Sequence, residues 1–389
     1  RNIARIWKTT MYKVSMVSLG CPKNQVDAEM MLYSLKQAGF EIGVPEAEAD
    51  AIIINTCGFI ESAKQESINE ILELSKLKEE GKIKKIVVTG CLAQRYNTQI
   101  KQLIPEADVV LGLGANGDIC DAINKALFGE GVESFPDILN MPLDGKRVQS
   151  TQPHYAYLRV ADGCDNCCTY CAIPLIRGKF RSRKMENILE EAQRLVNNGV
   201  KELNVIAQDT TRYGEDIYSE LMLPTLLKEL CKIEGLEWVR VLYCYPDRIT
   251  DELIKVIKEE DKIVKYIDLP LQHCNGEVLK NMNRHGDKES LTVLINKLRT
   301  EIPDITLRTT LIAGFPGETE EQFTELSQFV SDMKFERLGC FAYSLEEDTK
   351  AAVMECQVDE DIKQERARII NEQQAIIMSD NCERYIGKR

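Results

Sequence analysis

Nowhere in these 389 residues does an apolar run approach the roughly 20 residues that a bilayer requires, so no segment reads as a membrane span. Internal repeats and low-complexity tracts are missing too, which removes solenoids and compositionally biased arrays from consideration. Tryptophan is scarce, and Trp7 and Trp238 give no readable platform for stacking nucleobases. Positive charge is in deficit, with Lys+Arg 49 against Asp+Glu 62 and a formal net charge of −13. That balance opposes broad adhesion to phosphate backbones and favours a basic protein partner, although an acidic chain can still hold a basic groove. The basic opening stretch, residues 1–10, has no apolar core or small-residue cleavage site behind it and does not read as a secretory signal; Met11 is a plausible native start.

What is present is an ordinary globular mixture, 44% hydrophobic and 29% charged, long enough for two or three domains. It also holds 14 cysteines. In a long, acidic, unsignalled chain these point to buried or metal-binding thiols in a reducing cytoplasm rather than a disulfide framework.

From Val14 to about Phe128, apolar runs alternate with amphipathic stretches. Residues 14–19, 51–55, 86–89 and 109–111 read as buried strands, with helices over 26–37 and 61–77. This alternation predicts a parallel, doubly wound α/β sheet. The first three strands each run into a cysteine: Cys21, Cys57 and Cys91. Parallel sheets present ligands at the carboxyl ends of their strands, so the three can converge on one edge. Residues 129–152 lose periodicity and read as a linker. A second series follows, with strands over 155–160, 202–207, 238–243, 264–269, 306–312 and 337–341. The helices of this series fall over 185–198, 223–234, 251–260, 290–301 and 320–333. The pattern predicts a partial parallel barrel with its chemistry at the carboxyl ends. A polar-rich helix over 359–384 closes the readable pattern.

The first strand of this second series leads into four cysteines within eight residues, Cys164-Asp-Asn-Cys-Cys-Thr-Tyr-Cys171. Cys164, Cys168 and Cys171, spaced C-x3-C-x2-C, can bind three irons of a cubane cluster and leave the fourth open for chemistry. The plainer alternative pairs Cys164/Cys167 and Cys168/Cys171 around zinc. Zinc pairs are usually a dozen or more residues apart, and here they abut, so Cys167 reads as a bystander.

This loop, with Tyr170 before its last cysteine, resembles the radical S-adenosylmethionine superfamily. The stretch Leu311-Ile-Ala-Gly-Phe-Pro-Gly-Glu318 is similar to the family's glycine-bearing strand beside the adenosyl moiety, where Gly314 and Gly317 would allow close approach. Alone it is also an ordinary turn before a helix. Arg177, Arg181 and Arg183 can clamp a carboxylate or be solvated surface residues. Asp209, ending the second strand, can face the amino group or ribose of S-adenosylmethionine, or cap its strand. His273 and His285 lack a readable partner and stay outside the site.

Cys21, Cys57 and Cys91 have 35 and 33 residues between them, and spacing alone leaves a shared metal site and three core cysteines equally open. The words around them, Ser18-Leu-Gly-Cys-Pro-Lys-Asn24 with Val26-Asp-Ala-Glu29, Asn55-Thr-Cys-Gly-Phe59 and Thr89-Gly-Cys-Leu-Ala-Gln94, resemble the methylthiotransferase family from Val14 onward. That resemblance implies two [4Fe-4S] clusters, one on each cysteine trio, at facing strand ends. It implies S-adenosylmethionine as radical source and methyl donor, and methylthio insertion at an unactivated carbon.

Stretches such as Gln208–Gly214, Tyr243–Pro246, Pro270–Cys274 and Phe341–Asp348 resemble the branch acting on an aspartate β-carbon of small-subunit ribosomal protein S-twelve. The alternatives are the transfer-RNA adenosine branch and, in another class, a non-catalytic iron–sulfur or zinc protein. The resemblance further implies a monomer partnered by that protein or the assembled small ribosomal subunit, a flavodoxin-like electron donor and a sulfur donor. The implied division is an extension over 1–13, a cluster domain over 14–128, a linker over 129–152, a radical core over 153–345 and a carboxy-terminal helix over 346–389. Tyr385-Ile-Gly-Lys388 looks like the first strand of the family's small TRAM β-barrel, whose remainder is absent from this sequence.

Overall fold

Runs of Val and Ile bounded by glycine build two parallel sheets in a computed structural model that describes residues 11–383 together with Ile386 and Gly387. The basic opening stretch with Trp7, as well as Tyr385 and Lys388 of the expected carboxy-terminal strand, lie outside the described residues. The chain divides into two units, one running through Ser150 and including Leu175–Gly178, the other holding the remainder.

In the first unit the strands are β1 (Lys13–Ser18), β2 (Glu41–Ile42), β3 (Ala51–Thr56), β4 (Lys85–Gly90), β5 (Val109–Leu111) and β6 (Val132–Ser134). They form one sheet in the order β2-β1-β3-β4-β5-β6, parallel throughout. Strand order reverses between β1 and β3, the switch point where such folds leave a crevice. Helices α1 (Pro22–Gln37), α2 (Glu61–Glu79), α3 (Cys91–Leu103) and α4 (Ile119–Leu127) connect the strands. β3 and most of β4 are buried on both faces, as continuous apolar runs require when helices cover each side. Helix α1 begins at Pro22, earlier than its apolar pattern indicates, because proline suits the first helical position. β6 sits inside the stretch that reads as a linker; three residues are too few to display a period.

The second unit holds β7 (Tyr155–Arg159), the small antiparallel pair β8 (Ala161–Asp162) and β9 (Arg181–Ser182), and β10 (Glu202–Ile206). It continues with β11 (Trp238–Val241), β12 (Ile263–Asp268), β13 (Thr306–Ala313) and β14 (Arg337–Ala342). The parallel strands follow in the order β14-β13-β12-β11-β10-β7, a six-stranded open barrel matching the expected (βα)6 class. Its helices are α5 (Ile173–Arg177), α6 (Met185–Asn197), α7 (Glu215–Tyr218), α8 (Leu223–Cys231), α9 (Asp251–Glu259), α10 (Gly276–Asn281), α11 (Lys288–Glu301), α12 (Glu320–Met333) and α13 (Glu360–Glu383). Of these, α5 runs into the Leu175–Gly178 segment that groups with the first unit.

The Gly-Phe-Pro-Gly turn leads into α12 through a capping box between Thr319 and Gln322. Beneath the turn lies a buried polar network. The Glu318 carboxylate accepts from the Gly314 amide at 2.9 Å and from Arg366 of α13 at 2.8 Å, and His273 Nε2 lies 3.4 Å away. His273 Nδ1 accepts from the Asn275 amide, so this histidine is wholly buried and structural, not a surface residue. Removing one partner of a buried ion pair leaves the other uncompensated. Arg366→Met should therefore lower unfolding stability by about 3 kcal/mol, read from the denaturant midpoint at constant m-value. An unchanged midpoint would contradict the network's role.

Candidate functional site

Each cysteine of the first trio lies at the exit of a strand, Cys57 and Cys91 immediately after it and Cys21 three residues on. Cys21 is the residue before α1, Cys57 follows β3 and Cys91 opens α3. Their strands are neighbours in the parallel sheet, so the three thiols leave it at one edge. Cys57 and Cys91 each sense the charge of Cys21, and Cys91 also that of Cys57, so the three share one electrostatic neighbourhood. Burial pushes the Cys57 thiol upward and the Cys91 thiol up to about 12. Thiolate ligation there must release protons.

Glycine makes this convergence possible. Gly20 has φ +88, and a Cβ built on it would lie 2.8 Å from Cys57 Cβ. Gly90, at φ +95, would place a Cβ 2.5 Å from the Thr56 carbonyl oxygen. The polar residues of the surrounding words act as braces. Asn24 Nδ2 donates to the carbonyls of Leu19 and Thr56, and Asn55 Nδ2 donates to the Asn24 carbonyl at 2.7 Å. The Thr56 hydroxyl donates to the Thr89 carbonyl, and Ser67 Oγ engages both the amide and the carbonyl of Cys57. Asp27 pairs with Arg177 at 2.9 Å; Glu29 pairs with Arg147 and accepts from Ser150.

Arg177 is thus not a solvated arginine. It is 1% exposed, belongs with the first unit, and donates to Asn24 Oδ1 at 3.0 Å and toward Cys91 Sγ at 3.7 Å. Arg183 is also buried, bound to Glu191 and the Arg159 carbonyl.

In the second unit, Cys164, Cys168 and Cys171 lie on the loop after β8. The Cys171 amide donates to the Cys168 carbonyl at 3.0 Å, a tight turn that draws their side chains together. Burial raises the Cys164 thiol to about 11 and the Cys171 thiol further. Cys167 is exposed, at φ +50. The end of α10 pins the loop from beneath. Thr169 bonds the Asn281 and Met282 carbonyls, and Asn283 Nδ2 donates to the carbonyls of Asn166 and Cys167. Asp209, 1% exposed, accepts from Asn166 Nδ2 at 2.9 Å and from the Thr211 hydroxyl, so it holds the cysteine loop to the end of β10.

Sequence reasoning missed the cation of this site. Arg284 is buried, donates toward Cys168 Sγ at 3.8 Å and to the Pro270 carbonyl, and lies 4.2 Å from the Tyr245 ring centroid. Tyr170 and Tyr245 share the electrostatic neighbourhood of Cys168, and burial raises both phenols. Nothing local in the sequence marks Arg284, which reaches the loop from 116 residues away in the chain.

Two glutamine oxygens complete the setting. Gln208 Nε2 donates to Asp162 at 3.0 Å, and among the described residues its buried Oε1 meets no donor; the buried Oε1 of Gln272, at φ +71, meets none there either. Such acceptors fit a ligand carrying an ammonium or hydroxyl groups. Gly314 has φ +73, and the space its Cβ would take is filled by Lys363 at 2.2 Å, so on that side its close neighbour is α13. Gly317, at φ +81, meets nothing within 4 Å on its Cβ side. His285 is exposed. Among the described residues no three His, Cys, Asp or Glu side chains close tightly enough to grip one metal ion. A cubane cluster is larger than an ion and takes its thiolates further apart.

Two family models match the chain: Uncharacterized protein family UPF0004 over residues 13–112 and the Radical SAM superfamily over residues 158–330. The ribosomal protein uS12 methylthiotransferase RimO of Lachnoclostridium phytofermentans is 50% identical over 378 residues, covering 97% of this chain and 86% of that protein. Its counterpart from Desulforamulus reducens is 52% identical over 377 residues, 96% of this chain and 85% of that protein. Among solved structures, the radical S-adenosylmethionine methyltransferase TsrM from Kitasatospora setae, with cobalamin and a [4Fe-4S] cluster bound, superposes with TM-score 0.66. The match has 13% identity and covers 89% of this chain and 77% of that one, a likeness of fold.

The glycine-narrowed strand ends give a direct test. Gly90→Ala forces both a left-handed alanine and a clash with Thr56, and should cost on the order of 2 kcal/mol or more. Thermal unfolding should shift down, and Cys91 should react faster with a thiol reagent. Unchanged values for both would show that the close approach is dispensable.

Proposed function

Because the chain belongs to the RimO family of ribosomal protein uS12 methylthiotransferases, we propose that it inserts a methylthio group at the β-carbon of an aspartate of uS12. The observation that carries this reading is the pair of cysteine trios, each gathered on the carboxyl side of a parallel sheet in its own unit. Cys21, Cys57 and Cys91 are assigned to one [4Fe-4S] cluster, and Cys164, Cys168 and Cys171 to the other. When bound, the second-unit cluster on Cys164, Cys168 and Cys171 would supply the electron that cleaves S-adenosylmethionine to a hydrogen-abstracting radical, and the first-unit cluster on Cys21, Cys57 and Cys91 would supply sulfur, with a further S-adenosylmethionine as methyl donor.

The protein's own side chains hold and orient. Arg284, the buried guanidinium nearest Cys168, is assigned to the cofactor carboxylate. Gln208 and Gln272 offer acceptor oxygens to its ammonium and ribose hydroxyls. Tyr170 and Tyr245, in the electrostatic neighbourhood of Cys168, would tune the electron density of a ligating thiolate there. Asp209 keeps the cysteine loop in register through Asn166. Gly314 and Gly317 shape the turn whose amide is fixed by Glu318. Arg177 places a positive charge beside Cys91, where it steadies an anionic cluster.

The domain reading that follows assigns 14–128 to sulfur delivery, 129–152 to connection, 153–345 to radical generation and 346–389 to a carboxy-terminal helix. A flavodoxin-like electron donor, a sulfur donor and the uS12 protein or assembled small subunit are the partners of a monomer in the cytoplasm. No described helix is long and apolar enough to cross a membrane.

Mass spectrometry after anaerobic incubation with uS12, transfer RNA, reductant and S-adenosylmethionine tests the substrate. A methylthio mass gain on the uS12 aspartate is expected; gain on transfer RNA alone would overturn the reading. Arg284→Met should lower 5′-deoxyadenosine formation by about a hundredfold, with Arg284→Lys intermediate. Equal rates for the three forms would remove Arg284 from the site.

A further inference from the structure

One face of the barrel sheet remains without an assigned task. Along β13, Leu307, Thr309, Leu311 and Ala313 are buried under the helices, while Thr306, Arg308, Thr310 and Ile312 on the other face are only half-buried. Register places Arg308 beside Asp268 and Thr306 beside Tyr266 of β12. Further along the same face, Arg240 stands over the Tyr266 ring at 5.0 Å and bonds Glu202 of β10 at 2.6 Å. The inward face therefore carries a row of alternating charge: Glu202, Arg240, Asp268 and Arg308. Charged residues are costly to line up on a sheet face unless something uses them.

The two arginines of this row are not equivalent. Arg240 is anchored through Nε and by stacking. Arg308 is anchored through Nη1 alone, to Asp268 Oδ1 at 2.5 Å and weakly to Thr310 at 3.5 Å. Among the described residues its Nε and Nη2 donate no hydrogen bond, and its side chain, at 39%, is the most exposed of the row. Although Arg308 is only the third residue of β13, its guanidinium reaches the carboxyl ends of β11 and β12, because its partner Asp268 is the last residue of β12 and accepts from the Tyr243 amide just beyond β11. Asp268 is held from its other side by the Tyr243 amide at 3.2 Å, with Tyr243 itself in the left-handed region at φ +62. A bulky residue in that conformation is strained, and strain persists where surrounding structure fixes it for use. The result is a guanidinium locked along one edge, with its other edge offered at the chemical end of the barrel.

We infer that this free edge of Arg308 receives the side-chain carboxylate of the substrate aspartate and thereby fixes its β-carbon for hydrogen abstraction. The inference rests on the function proposed above and names the residue that reads the substrate. The carboxylate carbon is bonded directly to the β-carbon, so a two-point clamp on the former leaves the latter almost no freedom. Guanidinium has five donors in a rigid fork, enough to keep Asp268 on one side and bind a second carboxylate on the other. Asparagine, of the same shape but uncharged, should be a poor substitute.

The test compares the reconstituted full chain with Arg308→Met and Arg308→Lys variants. Each is given uS12 and uS12 whose target aspartate is replaced by asparagine. Methylthio insertion and 5′-deoxyadenosine are measured together. The unaltered enzyme should favour aspartate over asparagine by on the order of a hundredfold in kcat/KM, the loss expected when a charge-assisted clamp goes unmade. Arg308→Met should collapse that ratio toward one and raise the 5′-deoxyadenosine spent per methylthio group inserted. Arg308→Lys should recover part of the ratio. An unaltered enzyme indifferent to asparagine, or an Arg308→Met variant that keeps the full preference, overturns the assignment. If Arg308→Met does not fold, the lysine variant and the unaltered enzyme's own ratio decide the matter. An enzyme that modifies neither form of uS12 overturns the functional reading, and this inference with it.

Discussion

Parallel strand ends can carry three thiols to one edge only if the backbone there approaches more closely than side chains allow. Gly20 and Gly90 meet that constraint: each precedes a cysteine, each has positive φ, and a Cβ on either would collide with the neighbouring strand exit. Once the ends are that close, their carbonyls and amides need partners away from water. Asn24, Asn55, Thr56 and Ser67 supply them. The residues that make the amino-terminal words recognisable are therefore mostly not ligands. They are the braces that let the three thiols converge.

The second trio solves the same problem differently. Its cysteines share one loop, so convergence needs only a tight turn, and the difficulty moves to holding that turn still. Asp209 secures it from the end of β10, Asn283 and the neighbouring carbonyls secure it from the end of α10, and the Ala351 amide donates to the Thr169 carbonyl. The electrostatic settings differ accordingly. The first trio has Arg177, itself committed to Asp27; the second has Arg284, flanked by Tyr245 and Cys168. An arginine already bound to a carboxylate steadies charge, whereas one facing a sulfur and a ring keeps donors for an incoming group.

Strand alternation made both sheets legible, because fully buried strands such as Ala51–Thr56 write themselves as continuous apolar runs. The position of a cysteine at each strand exit was equally legible. β6, the β8–β9 pair and the early start of α1 were not, since elements of two or three residues carry no period. Long-range partnerships stayed hidden for a different reason. Arg177 follows the radical loop in sequence, which invited a role there, yet its buried partner is Asp27, 150 residues away. Arg284 and Arg308 gain meaning only from what folding brings beside them, Cys168 in one case and Asp268 in the other. His273, set aside as unpartnered, accepts from the Asn275 amide and lies 3.4 Å from the Glu318 carboxylate. Periodicity reveals which face is buried; it does not reveal which charges meet there.

The central claim is that two separate trios each hold a cluster, and iron counting with Mössbauer spectroscopy tests it most directly. The anaerobically reconstituted full chain should hold about eight irons, all in four-iron clusters. Replacing Cys21, Cys57 and Cys91 by alanine should leave about four, and replacing Cys164, Cys168 and Cys171 should leave the other four or so. A full chain that saturates near four irons, or a single triple replacement that removes all of them, would contradict it.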